Sequence, residues 1–107
     1  MKLLTKEILK KLPPLYSTEN VPADEKMCIC KFFHPMGRYT YFVIEYDPTE
    51  RLFFGYCVSP LGPDCDELGL TSLDELESVV VRGLKIERDL YFKPTKLAEI
   101  LKQYPKG

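Results

Sequence analysis

The residues able to do chemistry are four cysteines, one histidine, a run of carboxylates, and tyrosines interleaved with cations. Cys28 and Cys30 form a C-x-C pair, and Cys57 and Cys65 lie far downstream. These spacings do not reproduce the paired knuckles of a zinc site, and His34 is the single histidine that could complete a mixed ligand set. The cysteines are therefore expected to act as small buried apolar residues and to stay reduced. His34 falls in a turn beside Pro35 and Gly37. As a general base it would need Cys30 or Cys57 as nucleophile and an orienting partner. The register described below turns both cysteines into the core, so His34 is expected to be an exposed turn residue. The carboxylates Asp64, Asp66, Glu67, Asp74, Glu75 and Glu77 lack the further ligands of a calcium loop and read as a solvated acidic surface. There is no glycine-rich phosphate cradle, nucleophile elbow or H-E-x-x-H motif. The residues thus point to a binding protein rather than an enzyme, with no cofactor and no metal.

The tyrosines give the candidate site. Three strands are expected at Met27 to Phe33, Tyr39 to Tyr46 and Arg51 to Val58, where aromatic and β-branched residues concentrate. Their connections are His34-Pro35-Met36-Gly37-Arg38 and Asp47-Pro48-Thr49-Glu50, which favour an antiparallel meander. If Phe33 faces Tyr39 and Tyr46 faces Arg51, alternation divides the side chains into two faces. One collects Cys28, Cys30, Phe32, Phe42, Ile44, Phe53 and Cys57 and is expected to receive the helices. The other collects Lys31, Tyr39, Tyr41 and Tyr56, with Arg38 at the adjoining turn; it is either open to solvent or covered by a helix or the 59–67 loop, with the tyrosines then in the core. Cations among exposed aromatic rings can stack and steer single-stranded nucleic acid, and equally form a protein–protein hot spot. The same register places Cys30 and Cys57 two strands apart, about 9–10 Å, which is too far for a disulfide. Four free thiols are expected.

The flanking elements are helical. Thr5 caps a short helix running to Leu12, which Pro13-Pro14 ends. Leu68 to Thr71 is expected to add a fourth short strand. Ser72-Leu73-Asp74-Glu75 forms a capping box that opens a second helix. Leu97, Ile100, Leu101 and Tyr104 share one side of a third helix, with Thr95 as the expected cap. The fold expected is α+β, a single domain over residues 1–107: an antiparallel meander of three to five strands, with N-terminal, middle and C-terminal helices packed mainly on one face.

At 107 residues, 45% of them hydrophobic, the chain can bury a core without a metal or disulfide. A net charge of −1 excludes a generally basic nucleic-acid binder. Split along the chain, residues 1–12 carry +3, residues 13–81 carry −8 and residues 82–107 carry +4. If the terminal helices pack side by side, Lys2, Lys6, Lys10, Lys11, Lys96 and Lys102 would form a local basic patch. Glu87, Arg88 and Asp89 alternate in sign and suit an ion-pair network that anchors the final helix. No leader-like or membrane-spanning run is apparent, which makes a cytoplasmic protein with no membrane partner the expectation.

The N-terminal stretch Leu3 to Glu19 resembles the opening of the bacterial domain-of-unknown-function 2958 family. Leu52-Phe53-Phe54-Gly55, Ser72 to Glu77 and Ile86 to Thr95 are similar to the same family, while Cys28, Cys30 and Pro60 to Cys65 lie outside the recognised pattern. The resemblance implies a bacterial protein often carried on mobile elements and supplies no catalytic residues. The expected function is a small non-enzymatic accessory module acting through protein–protein contacts. The alternative is single-stranded nucleic-acid binding through Lys31, Arg38, Tyr39, Tyr41 and Tyr56.

Overall fold

Thr5 Oγ1 accepts the Ile8 N–H at 3.2 Å and starts α1 (Lys6–Lys11), while Leu12 turns extended ahead of the two prolines and ends it. The computed structural model describes residues 2–105. Eight short strands flank or extend one long one: β1 (Met27–Cys28), β2 (Cys30–Phe33), β3 (Thr40–Asp47), β4 (Leu52–Val58), β5 (Glu67–Ser72), β6 (Val80–Val81), β7 (Leu84–Lys85), β8 (Glu87–Arg88) and β9 (Thr95–Lys96). Ser72 Oγ caps α2 (Leu73–Ser78) by accepting the Glu75 N–H at 3.0 Å, as the capping box predicts. The C-terminal helix is α3 (Leu97–Gln103). Its cap differs from expectation. Lys96 occupies the cap position without a side-chain bond, because Thr95 is held in β9 opposite Cys28.

The main sheet has the order β5-β4-β3-β2-β8, with the antiparallel meander β2 to β5 as expected and β8 added outside β2. Its register differs from the expected one by one residue between β2 and β3 and, at the turn end of β3–β4, by two. Phe33 faces Thr40 rather than Tyr39, and Tyr46 faces Phe53 rather than Arg51. Between Val43 and Glu45 the β3–β4 pairing shifts, so Ile44 is an extra residue in β3, a β-bulge. The side chains of residues 40–43 consequently point to the opposite face from the one expected relative to β2, since a one-residue slip reverses every side chain.

Both faces of the sheet are covered. Cys30, Phe32, Tyr41, Val43 and Phe53 pack with Leu73 and Leu76 of α2 and with Leu3 and Ile8 of the N-terminal segment. Phe42, Ile44, Tyr56 and Val58 pack with Leu97 and Ile100 of α3 on the other side. The helices are thus divided between faces instead of sharing one. α1 packs on the α2-side core and α3 on the other, so the side-by-side packing on which a shared basic patch depended is not formed. β3, buried from Thr40 to Tyr46, is the central strand of two cores.

A close contact holds β3 against β4. A Cβ built on Gly55 would lie 2.2 Å from the Phe42 carbonyl oxygen and 3.0 Å from the Tyr41 ring, whereas one on Gly69, its partner in β5, meets nothing within 4 Å. Gly55→Ala is expected to cost about 3 kcal/mol or more by overpacking, and Gly69→Ala to stay within about 1 kcal/mol of the parent. Chemical denaturation of the two variants checks this; similar losses for both would show that the Gly55 contact is not tight.

Candidate functional site

The five residues expected on or beside one sheet face do not share one. Tyr41 is 0% exposed, its ring lies on the α2 side, and its hydroxyl donates to the Gly69 carbonyl at 2.8 Å. Tyr56 is 4% exposed on the α3 side. Tyr39 is half-buried at the margin of the α2-side core, and burial, with Cys57 and Glu75 nearby, pushes its phenol well above the usual range. The β-bulge and the shifted register are the reason: they turn Tyr41 away from Tyr56. Of the two alternatives for these tyrosines, Tyr41 and Tyr56 follow the covered one, and an exposed stacking face is corrected.

The two cations are also engaged. Lys31 is half-buried, sits 5.9 Å from the Phe42 ring centroid and pairs with Asp89 at 3.5 Å. Arg38 grips Asp66 with both arms at 2.7 Å and donates to the Ser59 carbonyl at 2.6 Å. Asp66, expected on a solvated acidic surface, is fully buried and also accepts the Ser59 N–H at 2.7 Å. A bidentate, charge-assisted pair of this kind fixes the loop before β5 against the turn after β2. Arg88, expected in an ion-pair network that anchors the final helix, instead donates to the Lys2 and Leu3 carbonyls at 2.6 and 2.8 Å and ties the N-terminal segment to the sheet edge.

His34 is a second correction. It is buried rather than exposed: its Nε2 lies 3.0 Å from the Leu84 carbonyl oxygen, and its Nδ1 accepts the Met36 N–H at 3.1 Å. Those two contacts select the Nε2–H tautomer. His34 thereby clips the β6–β7 hairpin to the turn after β2. No group of cysteine, histidine and carboxylates suited to a metal ion is found among the described residues.

What this clip creates is an apolar cleft of about 300 Å³ beside His34, lined by Met36, Tyr39, Pro60, Val79, Val81 and Ile86. No charged side chain lines it. Exposed Met36, Val80 and Val81 lie at or beside it, and Leu61, 85% exposed, follows Pro60. Of the residues expected to bind, only Tyr39 takes part. The cleft could have been sought in Val79-Val80-Val81, an apolar triplet after a helix, followed by a two-residue turn. Arg82 and Gly83 both have positive φ, 55° and 77°, as such a hairpin turn requires. Arg82 is not a typical residue for that turn, which hid the hairpin.

All four cysteines are free, as expected. Cys28 and Cys30 lie in opposite cores, and burial pushes both thiols up from 9.0 to about 12. Unfolded thiols lose their protons near 9.0 while the folded ones keep theirs to about 12. The unfolded chain then binds fewer protons across that interval, so stability is complete below pH 9 and declines as pH rises. Denaturation midpoints followed from pH 8 upward should fall from about pH 9. In a Cys28→Ala/Cys30→Ala double variant the decline just above pH 9 should be shallower, the remainder coming from Cys57, whose thiol burial also raises; an unchanged slope would mean that other groups control it.

Comparison with known proteins agrees with the sequence resemblance. The model of the family described as "Protein of unknown function (DUF2958)" matches residues 3–104, and the chain belongs to that family. No curated protein and no solved structure matches it.

Proposed function

We propose that this member of the DUF2958 family is a non-enzymatic binding module that docks an apolar segment of a partner protein in the cleft beside His34. The observation that carries the reading is the pairing of an uncharged cleft with exposed apolar side chains around it, Met36, Leu61 and Val81 foremost. Apolar side chains scattered singly on a surface need no explanation, but a concave apolar site bordered by more of them is the form of a partner site. Tyr39 supports the reading as well. Its half-buried ring at the cleft wall is the kind of amphipathic anchor that dominates interface energetics.

The setting proposed with this function comes from the family resemblance: a bacterial cytoplasmic accessory protein of mobile elements. No described helix is long and apolar enough to cross a membrane. The absence of any charge from the cleft lining supports a protein partner over nucleic acid, because phosphate binding depends on cations.

The test is affinity capture from host extract with the parent chain and with Met36→Glu/Val81→Asp, both exposed positions whose exchange leaves the core intact. A specific protein retained by the parent, lost by the double variant and kept by Lys10→Glu is the expected result. Binding that the cleft variant leaves unchanged, or that Lys10→Glu abolishes equally, would overturn the assignment of the cleft.

A further inference from the structure

The opposite side of the sheet carries a different opening. A cavity of about 420 Å³ lies against β4, β5 and α3, walled by Leu68, Leu97, Leu101 and Tyr104. Tyr56 forms part of this wall, and its hydroxyl is a buried polar atom with no hydrogen-bond partner. The contrast with Tyr41 is informative. That hydroxyl, equally deep, is satisfied by Gly69. Buried hydroxyls are nearly always paired, so one that has no protein partner and borders a cavity is available to a ligand group.

The charges around the opening select the ligand. Asp24 and Glu67 line it, both exposed, and neither has a hydrogen-bond or ion-pair partner among the described residues. The cations of the adjoining segments are engaged elsewhere, with buried Lys26 turned onto the Thr18 carbonyl and hydroxyl. Arg38 is held by Asp66, Lys96 by Glu25 and Lys102 by Glu99. The rim is therefore negative, the walls are apolar, and the inner side presents a phenol with an unmet hydrogen bond.

We propose that this cavity binds a small organic ammonium, its charge at Asp24 and Glu67, its apolar stem along Leu68, Leu97 and Leu101, and a hydroxyl or carbonyl at its far end bonded to Tyr56. At about 420 Å³ the opening has room for such a molecule. Tyr104 adds an aromatic face beside the stem. The site is separate from the His34 cleft: it is built on the α3-side core, whereas Tyr39, Val79 and Ile86 of the cleft belong to the α2-side core.

The experiment is a double-mutant cycle with paired probes, followed by NMR titration of the Leu68, Leu97 and Leu101 methyls. The probes are amino alcohols of four to six carbons, the matching alkylammonium ions and 6-hydroxyhexanoate. The parent chain should bind the amino alcohols about 5-fold more tightly than the alkylammonium ions, the worth of one hydrogen bond. Tyr56→Phe should abolish that difference and leave alkylammonium binding unchanged, while Glu67→Gln should weaken both cations. An added arm with Nα-acetyl-lysine methylamide separates the two sources of such an ammonium: binding as tight as that of the amino alcohols assigns the site to a partner's lysine, and weaker binding to a free amine. Tyr56→Phe should also unfold no earlier than the parent, because it removes an unsatisfied group, whereas Tyr41→Phe should unfold earlier. Hydroxyhexanoate binding as well as the amino alcohols, or a preference that persists in Tyr56→Phe, would overturn the proposal, as would the absence of any saturable shift.

Discussion

The architecture depends on how Tyr41 crosses β4. Gly55 on β4 and Gly69 on β5 are register partners, which leaves a strip of sheet without side chains. The Tyr41 ring lies over Gly55, and its hydroxyl ends on the Gly69 carbonyl. One residue of the central strand thus spans two neighbouring strands, fills the strip and satisfies its own polar atom. Any side chain at Gly55 would strike the Phe42 carbonyl or this ring. An aromatic covering a glycine across strands is a known way of pinning register. Here it pins the strand that separates the two cores.

The bulge at Ile44 complements that contact. Past it, Glu45 is buried and its carboxylate accepts the Tyr16 N–H at 2.8 Å and the Thr18 N–H at 3.1 Å, along with the Thr18 hydroxyl. Tyr16 sits at φ 68°, an unusual conformation for a non-glycine residue, and its bond to Glu45 helps hold it there. Buried Lys26 donates to the Thr18 carbonyl and hydroxyl. The irregular segment between α1 and β1 is therefore laid on the sheet by one inward carboxylate. Asp66 does the same for the segment before β5. Loops that would otherwise hang free are fastened by two buried anions, each with its acceptor capacity met, the condition under which burying a carboxylate is tolerable.

These features divide what a sequence can reveal from what it cannot. Turn residues, strand composition and the caps at Thr5 and Ser72 act over three or four neighbours, so the meander and the starts of α1 and α2 were legible. The facing of Tyr41 was not. Alternation specifies register only when one face is polar, and both faces here are apolar; nothing local then resists a slip of one residue. The buried roles of Asp66, Glu45 and His34 were hidden for a related reason. Their partners Arg38, Tyr16 and Leu84 stand 28, 29 and 50 positions away. Asp66 and His34 were expected at the surface because composition has no access to such partners. The four free thiols were anticipated correctly, although the bulge and the break at Ile29 put Cys28 and Cys30 in different cores rather than on one face.

The two openings follow from a shortage of helix. α1, α2 and α3 have 6, 6 and 7 residues, each about 10 Å long at 1.5 Å per residue. β3 has 8 residues and extends about 26 Å. A sheet buried on both faces needs a full layer on each, and helices this short cover less than half of the strand they cross. Loops pinned by Glu45 and Asp66 cover part of the remainder. Among what they leave are an apolar cleft on the α2 side and an acid-rimmed cavity on the α3 side. On this reading binding is a consequence of the fold's economy: each occupant supplies a piece of the layer that the chain is too short to build, and the differing charge at the two openings determines which occupant each accepts.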